Sequence, residues 1–337
     1  MRVGLIGLGR EALNTYLPVL SRIPAAKISG SDIKLSRTGR LSANGVSIPI
    51  YDTVLEMIAR HQPELLIVCA SPNSHVALMK QACSASISTV CEKPVLATTE
   101  ELSRLRGKFI ERNLQLRLVN NWKYSPQFRH FMRLLNLVPR DREATCDLSI
   151  SFNRPNLERP GWRAEEGNGG LTWEYGWHAI YLMLAIYECV YGDVRKEQIR
   201  LVIHDRVISS DTAKCEFRYG KMRVILSINR AAQTRTTRIK YSVERFTMLA
   251  DEEDVVLTER SRIRLRRSFP NSPLSSQDSR KIWLSSMIGE GLLIAKTAAQ
   301  SCDEGEECIR VLSQIQPLPS EPQRSSEALD TVRQREG

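Results

Sequence analysis

The sequence predicts an α/β chain: a doubly wound parallel sheet over residues 1–120, then an α+β domain over residues 121–316 built on an open, mainly antiparallel sheet. Three observations carry this. Apolar strands alternate with helical patterns through the first third of the chain, the signature of βαβ units. A glycine turn, Gly7-Leu8-Gly9, follows the first apolar strand and opens the first helical pattern. Beyond residue 121 the texture changes to a run of alternating strands joined by short turns, which reads as antiparallel sheet. Residues 317–337, rich in Pro, Ser and charge, read as a loosely packed or disordered tail.

In the first domain, strands are expected at residues 3–6, 27–31, 64–70, 88–91 and 116–120. Helices are expected at 11–22, 53–60, 74–84 and 99–112, the last opened by the cap Thr98-Thr99-Glu100-Glu101. The second domain begins with a helix at 126–135 and a strand at 144–152. A Gly/Pro-rich loop, 154–170, then leads to an aromatic-rich helix at 173–190. Seven strands follow: 199–207, 212–219, 222–229, 237–243, 246–250, 254–257 and 262–267. A helix near 280–301 closes the series.

At 337 residues the chain has room for two domains that each bury a core. Hydrophobic content of 42% and charged content of 26% are those of a soluble globular protein, and no apolar run approaches the roughly 20 residues of a membrane span. The first residues enter a buried strand directly and carry no secretory pattern. Eight cysteines without a CxxC pair fit reduced thiols, so a cytoplasmic protein without metal is expected. The acidic run between Cys302 and Cys308 reads as a solvated turn. A formal charge of +10 asks for an anionic partner. The densest basic segment, residues 260–267, alternates charge with apolar residues like a half-exposed strand, and no nucleic-acid motif accompanies it. An acidic small molecule accounts for the sign; nucleic acid and membrane are not expected partners.

Gly7-Leu8-Gly9-Arg10-Glu11-Ala12 is a G-x-G-x-x-A turn. The first glycine permits a tight bend and the second lets backbone approach a pyrophosphate. The small third residue allows helix to pack on strand, while the helix N-terminus faces the negative charge. Arg10 and Glu11 lie at that helix start, Arg10 beside the phosphates or simply solvated. Asp32 stands 20 positions after Ala12, at the end of the second strand. A carboxylate there accepts the adenosine ribose hydroxyls and disfavours a 2′-phosphate, which makes NAD the expected cofactor of a Rossmann domain. Lys34 and Arg37 keep NADP as the alternative, and a plain turn-capping role is the rival reading of Asp32.

Three further segments, in order, resemble the GFO/IDH/MocA oxidoreductases, a family named for glucose–fructose oxidoreductase and inositol dehydrogenase. They are Ala70-Ser71-Pro72-Asn73-Ser74-His75, then Cys91-Glu92-Lys93-Pro94, then Trp162-Arg163 followed by Gly169-Gly170-Leu171-Thr172-Trp173-Glu174-Tyr175-Gly176-Trp177-His178. The resemblance spans the chain to about residue 300, and Glu-Lys-Pro is its most specific element. It implies that Ser71, Pro72 and Asn73 line the cofactor, with His75 close by. It implies too that Glu92 holds the nicotinamide ribose and that Lys93 faces the substrate's reacting oxygen. A cation there lowers the cost of a developing alkoxide. His178 becomes the general base, its pKa class suited to neutral pH, and Glu174, four residues earlier, shares its helix face.

The sequence departs from the family at two places. Glu174 replaces a commoner Asp, which alters the reach of the carboxylate and with it the substrate. An arginine is common in the family where Trp122 or Lys123 stands here. Trp122, Lys123, Tyr124 and Arg163 are candidate substrate contacts, Arg163 for an anionic group. The resemblance implies a homo-oligomeric dehydrogenase, dimer or tetramer, acting on a sugar-like secondary alcohol. The rival is a non-catalytic dinucleotide sensor of the same fold.

Overall fold

The computed structural model describes residues 1–35, 39–153, 170–192, 199–269 and 299–318. Arg37, Trp162, Arg163, the loop 154–169, most of the helix expected at 280–301 and the tail from 319 lie outside the described residues. The chain forms two compact units. Met1–Val119 is the body of the first and Asn120–Arg280 that of the second; the last helix contributes to both, its residues joining the second unit from Arg310 onward.

The first unit holds a seven-stranded sheet in the order β3-β4-β2-β1-β5-β6-β7. The strands are β1 (Arg2–Ile6), β2 (Lys27–Ser31), β3 (Gly39–Ala43), β4 (Val46–Tyr51), β5 (Leu65–Val68), β6 (Ser88–Cys91) and β7 (Leu116–Leu118). All neighbours run parallel except β3 on β4. Leu65, Leu66, Ile67 and Val68 are all buried, as a strand covered on both faces must be. The helices are α1 (Leu17–Leu20), entered through a wider turn Ala12–Tyr16, then α2 (Val54–His61), α3 (His75–Ser84) and α4 (Thr99–Glu111). Thr53 caps α2 by accepting from the Glu56 amide, and Thr98 caps α4 by accepting from Glu101.

Two strands were not expected. β3 and β4 form a hairpin whose turn residues Asn44 and Gly45 both have positive φ, 51° and 75°. Asn-Gly between alternating residues is the sequence signal for such a turn.

The second unit carries an eight-stranded sheet, β15-β14-β13-β12-β8-β11-β10-β9. Its strands are β8 (Ala144–Asn153), β9 (Leu201–Ile208), β10 (Thr212–Tyr219), β11 (Met222–Asn229), β12 (Ala231–Val243), β13 (Phe246–Ala250), β14 (Asp254–Glu259) and β15 (Arg262–Ser268). Only β8 and β11 pair in parallel; the other neighbours are antiparallel. Alternation is plain on β8, where Cys146, Leu148, Ile150 and Phe152 are buried while Thr145, Asp147, Ser149 and Ser151 are half-buried. The helices are α5 (Pro126–Leu134), α6 (Trp177–Tyr191) and α7 (Ala299–Ile315). On α6 every residue from Trp177 to Tyr187 is buried, the mark of a core helix.

The acidic run after Cys302 is not a solvated turn but part of α7. Cys308, Ile309, Val311, Leu312 and Ile315 recur at helical spacing and are buried, and Glu306 pairs with Arg106 of α4 at 3.1 Å. Arg206 donates to the carbonyls of Gln314 and Ile315, satisfying the helix C-terminus. Among the described residues no helix is long and apolar enough to cross a membrane.

Candidate active site

In the first unit the strand order reverses direction about β1 and β5, and open α/β sheets bind ligands at the C-terminal ends of strands beside such a point. The glycine turn, Asp32, the Ser71–Asn73 loop and Glu92-Lys93 all follow strands at that end. Gly7 has φ +82° and its amide donates to the Ser31 carbonyl at 2.9 Å. A Cβ on Gly7 would sit 2.6 Å from the Ala70 backbone, so the bend against β5 admits only glycine. A Cβ on Gly9 would meet nothing within 4 Å. That open side beside a helix start is the space a pyrophosphate requires, so the turn fits a dinucleotide. Ala12 is fully buried; Arg10 is exposed, and Glu11 accepts from the Thr15 hydroxyl at 3.3 Å.

Asp32 serves its loop on both oxygens. Oδ2 accepts from the Leu8 amide at 2.7 Å and Oδ1 from the Lys34 amide at 2.8 Å. The carboxylate therefore braces the glycine turn as well as capping its own. Each oxygen retains a second lone pair with which to accept a ribose hydroxyl.

Pro72 is buried at the start of a short turn, Pro72–Ser74, closed by Ser74 donating to the Ser71 carbonyl; Asn73 is exposed. His75 is 1% exposed, with Nδ1 3.0 Å from the Pro94 carbonyl and Nε2 2.9 Å from the Ala70 carbonyl. A neutral ring donates from one nitrogen at a time, so it bonds one of these carbonyls and lies against the other. Burial pushes the imidazole down to about 4, against the pull of the two carbonyls. The Lys93-Pro94 peptide is cis.

Glu92 is buried and its Oε1 accepts from the Tyr16 hydroxyl at 2.8 Å, while Oε2 accepts from the Lys93 amide at 3.3 Å. Burial raises the Glu92 carboxyl above its ordinary value, opposed by the Lys93 charge. The Tyr16 phenol is raised too, by burial first and then by Glu92. Sequence reasoning missed Tyr16. It lies 76 residues from Glu92, and only the crossover of the sheet brings them together. Lys93 itself is half-buried at the site end of β6.

In the second unit, Glu174 and His178 are 9% and 4% exposed, on the wide turn Thr172–Gly176 and the first turn of α6. Trp122, expected to touch substrate, is itself 4% exposed and lies flat on His178, ring centroids 4.2 Å apart at 3°. Tyr124 is half-buried under the Arg129 guanidinium at 5.1 Å.

Comparison with known proteins agrees with this architecture. Residues 1–119 match the family model described as "Oxidoreductase family, NAD-binding Rossmann fold", GFO_IDH_MocA. The chain is similar to an uncharacterised oxidoreductase of Schizosaccharomyces pombe, 23% identical over 58% of this chain and 54% of that protein. It is similar also to the scyllo-inositol 2-dehydrogenase (NADP(+)) of Bacillus subtilis, 24% identical over 67% of this chain and 62% of that one. The matches thus span a little over half the length of these relatives. A solved dehydrogenase from Chromobacterium violaceum shares the fold with TM-score 0.70 at 16% identity, covering 100% of this chain and 98% of that one.

Proposed function

Since residues 1–119 belong to the GFO/IDH/MocA oxidoreductases, with their NAD-binding Rossmann fold, we propose that this chain moves a hydride between a nicotinamide cofactor and a secondary alcohol or ketone of a sugar-like polyol. The observation that carries the proposal is the Tyr16–Glu92 hydrogen bond. It joins the helix opened by the glycine turn to the residue beside Lys93, so the dinucleotide loop and the lysine belong to one braced structure. The scyllo-inositol dehydrogenase among the relatives supports a cyclic polyol as the substrate class.

The residues fit a dinucleotide. Gly7, Gly9 and the helix start would take its phosphates, Asp32 the adenosine ribose, Ser71, Pro72 and Asn73 one wall, and Glu92 the second ribose. When bound, the nicotinamide supplies the hydride acceptor for oxidation and the donor for reduction. Lys93 keeps its ammonium toward the reacting oxygen and offsets the charge that grows there as the alcohol loses its proton. By its resemblance to the family, His178 of the second unit would serve as general base for a substrate hydroxyl, and Glu174, one turn earlier, would bind a second hydroxyl or orient the imidazole.

The test is to incubate the purified protein with NAD or NADP and a panel of cyclic and linear polyols, and to follow the absorbance of the reduced nicotinamide. Turnover with at least one polyol is expected. Tight cofactor binding without turnover on any member would instead assign a dinucleotide sensor.

A further inference from the structure

The arginines of strand β15 are not neutralised evenly. Arg264 pairs with Glu259 at 2.7 Å, and Arg266 pairs with Asp254, which also accepts from the Ser268 hydroxyl. The Arg267 guanidinium makes no hydrogen bond or ion pair among the described residues. Arg267 stands directly opposite Val255, which is fully buried, so it shares the face of the sheet on which α5 packs. There it lies over the Phe269 ring, 5.2 Å from the centroid.

Helix α5 brings two more basic groups to the same place. His130 is half-buried, its imidazole 5.8 Å from the Phe269 ring and tilted by 57°. Neither of its ring nitrogens makes a hydrogen bond among the described residues, and Nδ1 is sealed from solvent. Arg133, three residues on, shares that face of the helix and is also unpaired among the described residues. Burial first, then the charges of Arg267 and Arg133, holds the His130 imidazole below its ordinary value, and no carboxylate among the described residues opposes them. In the turn before β14, Glu252 meets α5 through its backbone carbonyl, which accepts from Gln127 at 3.1 Å, and Glu253 is exposed. Two like charges beside one imidazole repel each other, and an anion between them removes that cost.

We propose that Arg133, Arg267 and His130 form a binding site for a phosphate group, free or esterified to a small molecule, in the second unit. A phosphate dianion matches the charge of two guanidinium groups, and its oxygens can accept paired N–H bonds from each. The imidazole adds a donor through Nε2. The Phe269 ring orients Arg267 through cation–π attraction, which consumes none of its donors. The site gives the formal charge of +10 one of the anionic partners it asks for, and it stands whether or not the chain transfers hydride.

The test titrates inorganic phosphate into the full chain, with chloride at equal ionic strength as the control. The His130 ring signal, assigned by its loss in His130→Gln, is followed by NMR. Phosphate should move that signal saturably and raise the pKa of the ring by about one unit, since the anion offsets both arginines. Arg133→Gln and Arg267→Gln should each weaken the binding about 10-fold or more, and Arg267→Lys should restore part of it. Both arginines are exposed, so the fold should survive these changes, which thermal denaturation checks. Glucose 6-phosphate distinguishes the sources: tighter binding than phosphate assigns an esterified ligand, and equal binding assigns the free ion. A His130 signal that responds to phosphate no more than to chloride would overturn the proposal. So would glutamine variants that bind phosphate as the wild type does.

Discussion

The indole of Trp122 lies 3° from parallel with the imidazole of His178, centroids 4.2 Å apart, and both side chains are almost wholly buried. A ring clamped in this way has its plane decided before any substrate arrives, and one of its faces is closed. On the proposed mechanism, in which His178 is the general base, Trp122 would orient that base. Catalytic geometry is sensitive at this level, since a displacement near one ångström costs on the order of 100-fold in rate.

Replacement of Trp122 separates orientation from packing. Trp122→Phe keeps an aromatic plane and should retain kcat within a few-fold. Trp122→Leu removes it, and kcat should fall about 10–100-fold with cofactor affinity unchanged. Steady-state kinetics beside cofactor titration checks this; a loss confined to KM would make Trp122 a substrate contact after all.

His75 gives a pH dependence of stability. Its folded value of about 4 lies below its ordinary 6.5, so the unfolded chain binds the proton more readily. The stabilisation is complete above pH 6.5 and is lost as pH falls towards 4, on the order of 3 kcal/mol in all. Urea midpoints measured across that window should drop in the wild type and drop less steeply in His75→Gln.

The two glycines of the turn should separate folding from binding. Gly7→Ala places a Cβ 2.6 Å from the Ala70 backbone at φ +82° and should lower the melting temperature by several degrees. Gly9→Ala meets nothing within 4 Å, so thermal stability should hold while affinity for NAD falls about ten-fold or more. Thermal denaturation and fluorescence titration of both variants measure the two effects.

Much of the first unit was legible because its strands are short continuous apolar runs and its glycine turn has one physical purpose. The β3–β4 hairpin escaped notice, although Asn44-Gly45 marks it and Ile48 and Ile50 alternate along β4, because β3 buries no residue and Pro49 inside β4 reads against a strand. The acidic stretch of α7 was misread because its charges precede the buried stripe from Cys308 to Ile315. Tyr16 with Glu92 and Trp122 with His178 could not be paired from sequence. Each contact joins distant segments, and only the path of the sheet or the packing of the helix brings them together. The placement of His75 is of the same kind, since both its neighbours are backbone carbonyls and leave no side-chain signature.

On the proposed mechanism the Lys93 ammonium stabilises the charge on the reacting oxygen during hydride transfer. Single-turnover reduction of NAD by a saturating polyol substrate, comparing wild type with Lys93→Ala, measures it most directly. Unchanged cofactor affinity and a hydride-transfer rate lower by about 100- to 10,000-fold are expected. A rate within a few-fold of wild type, at equal cofactor occupancy, would contradict it.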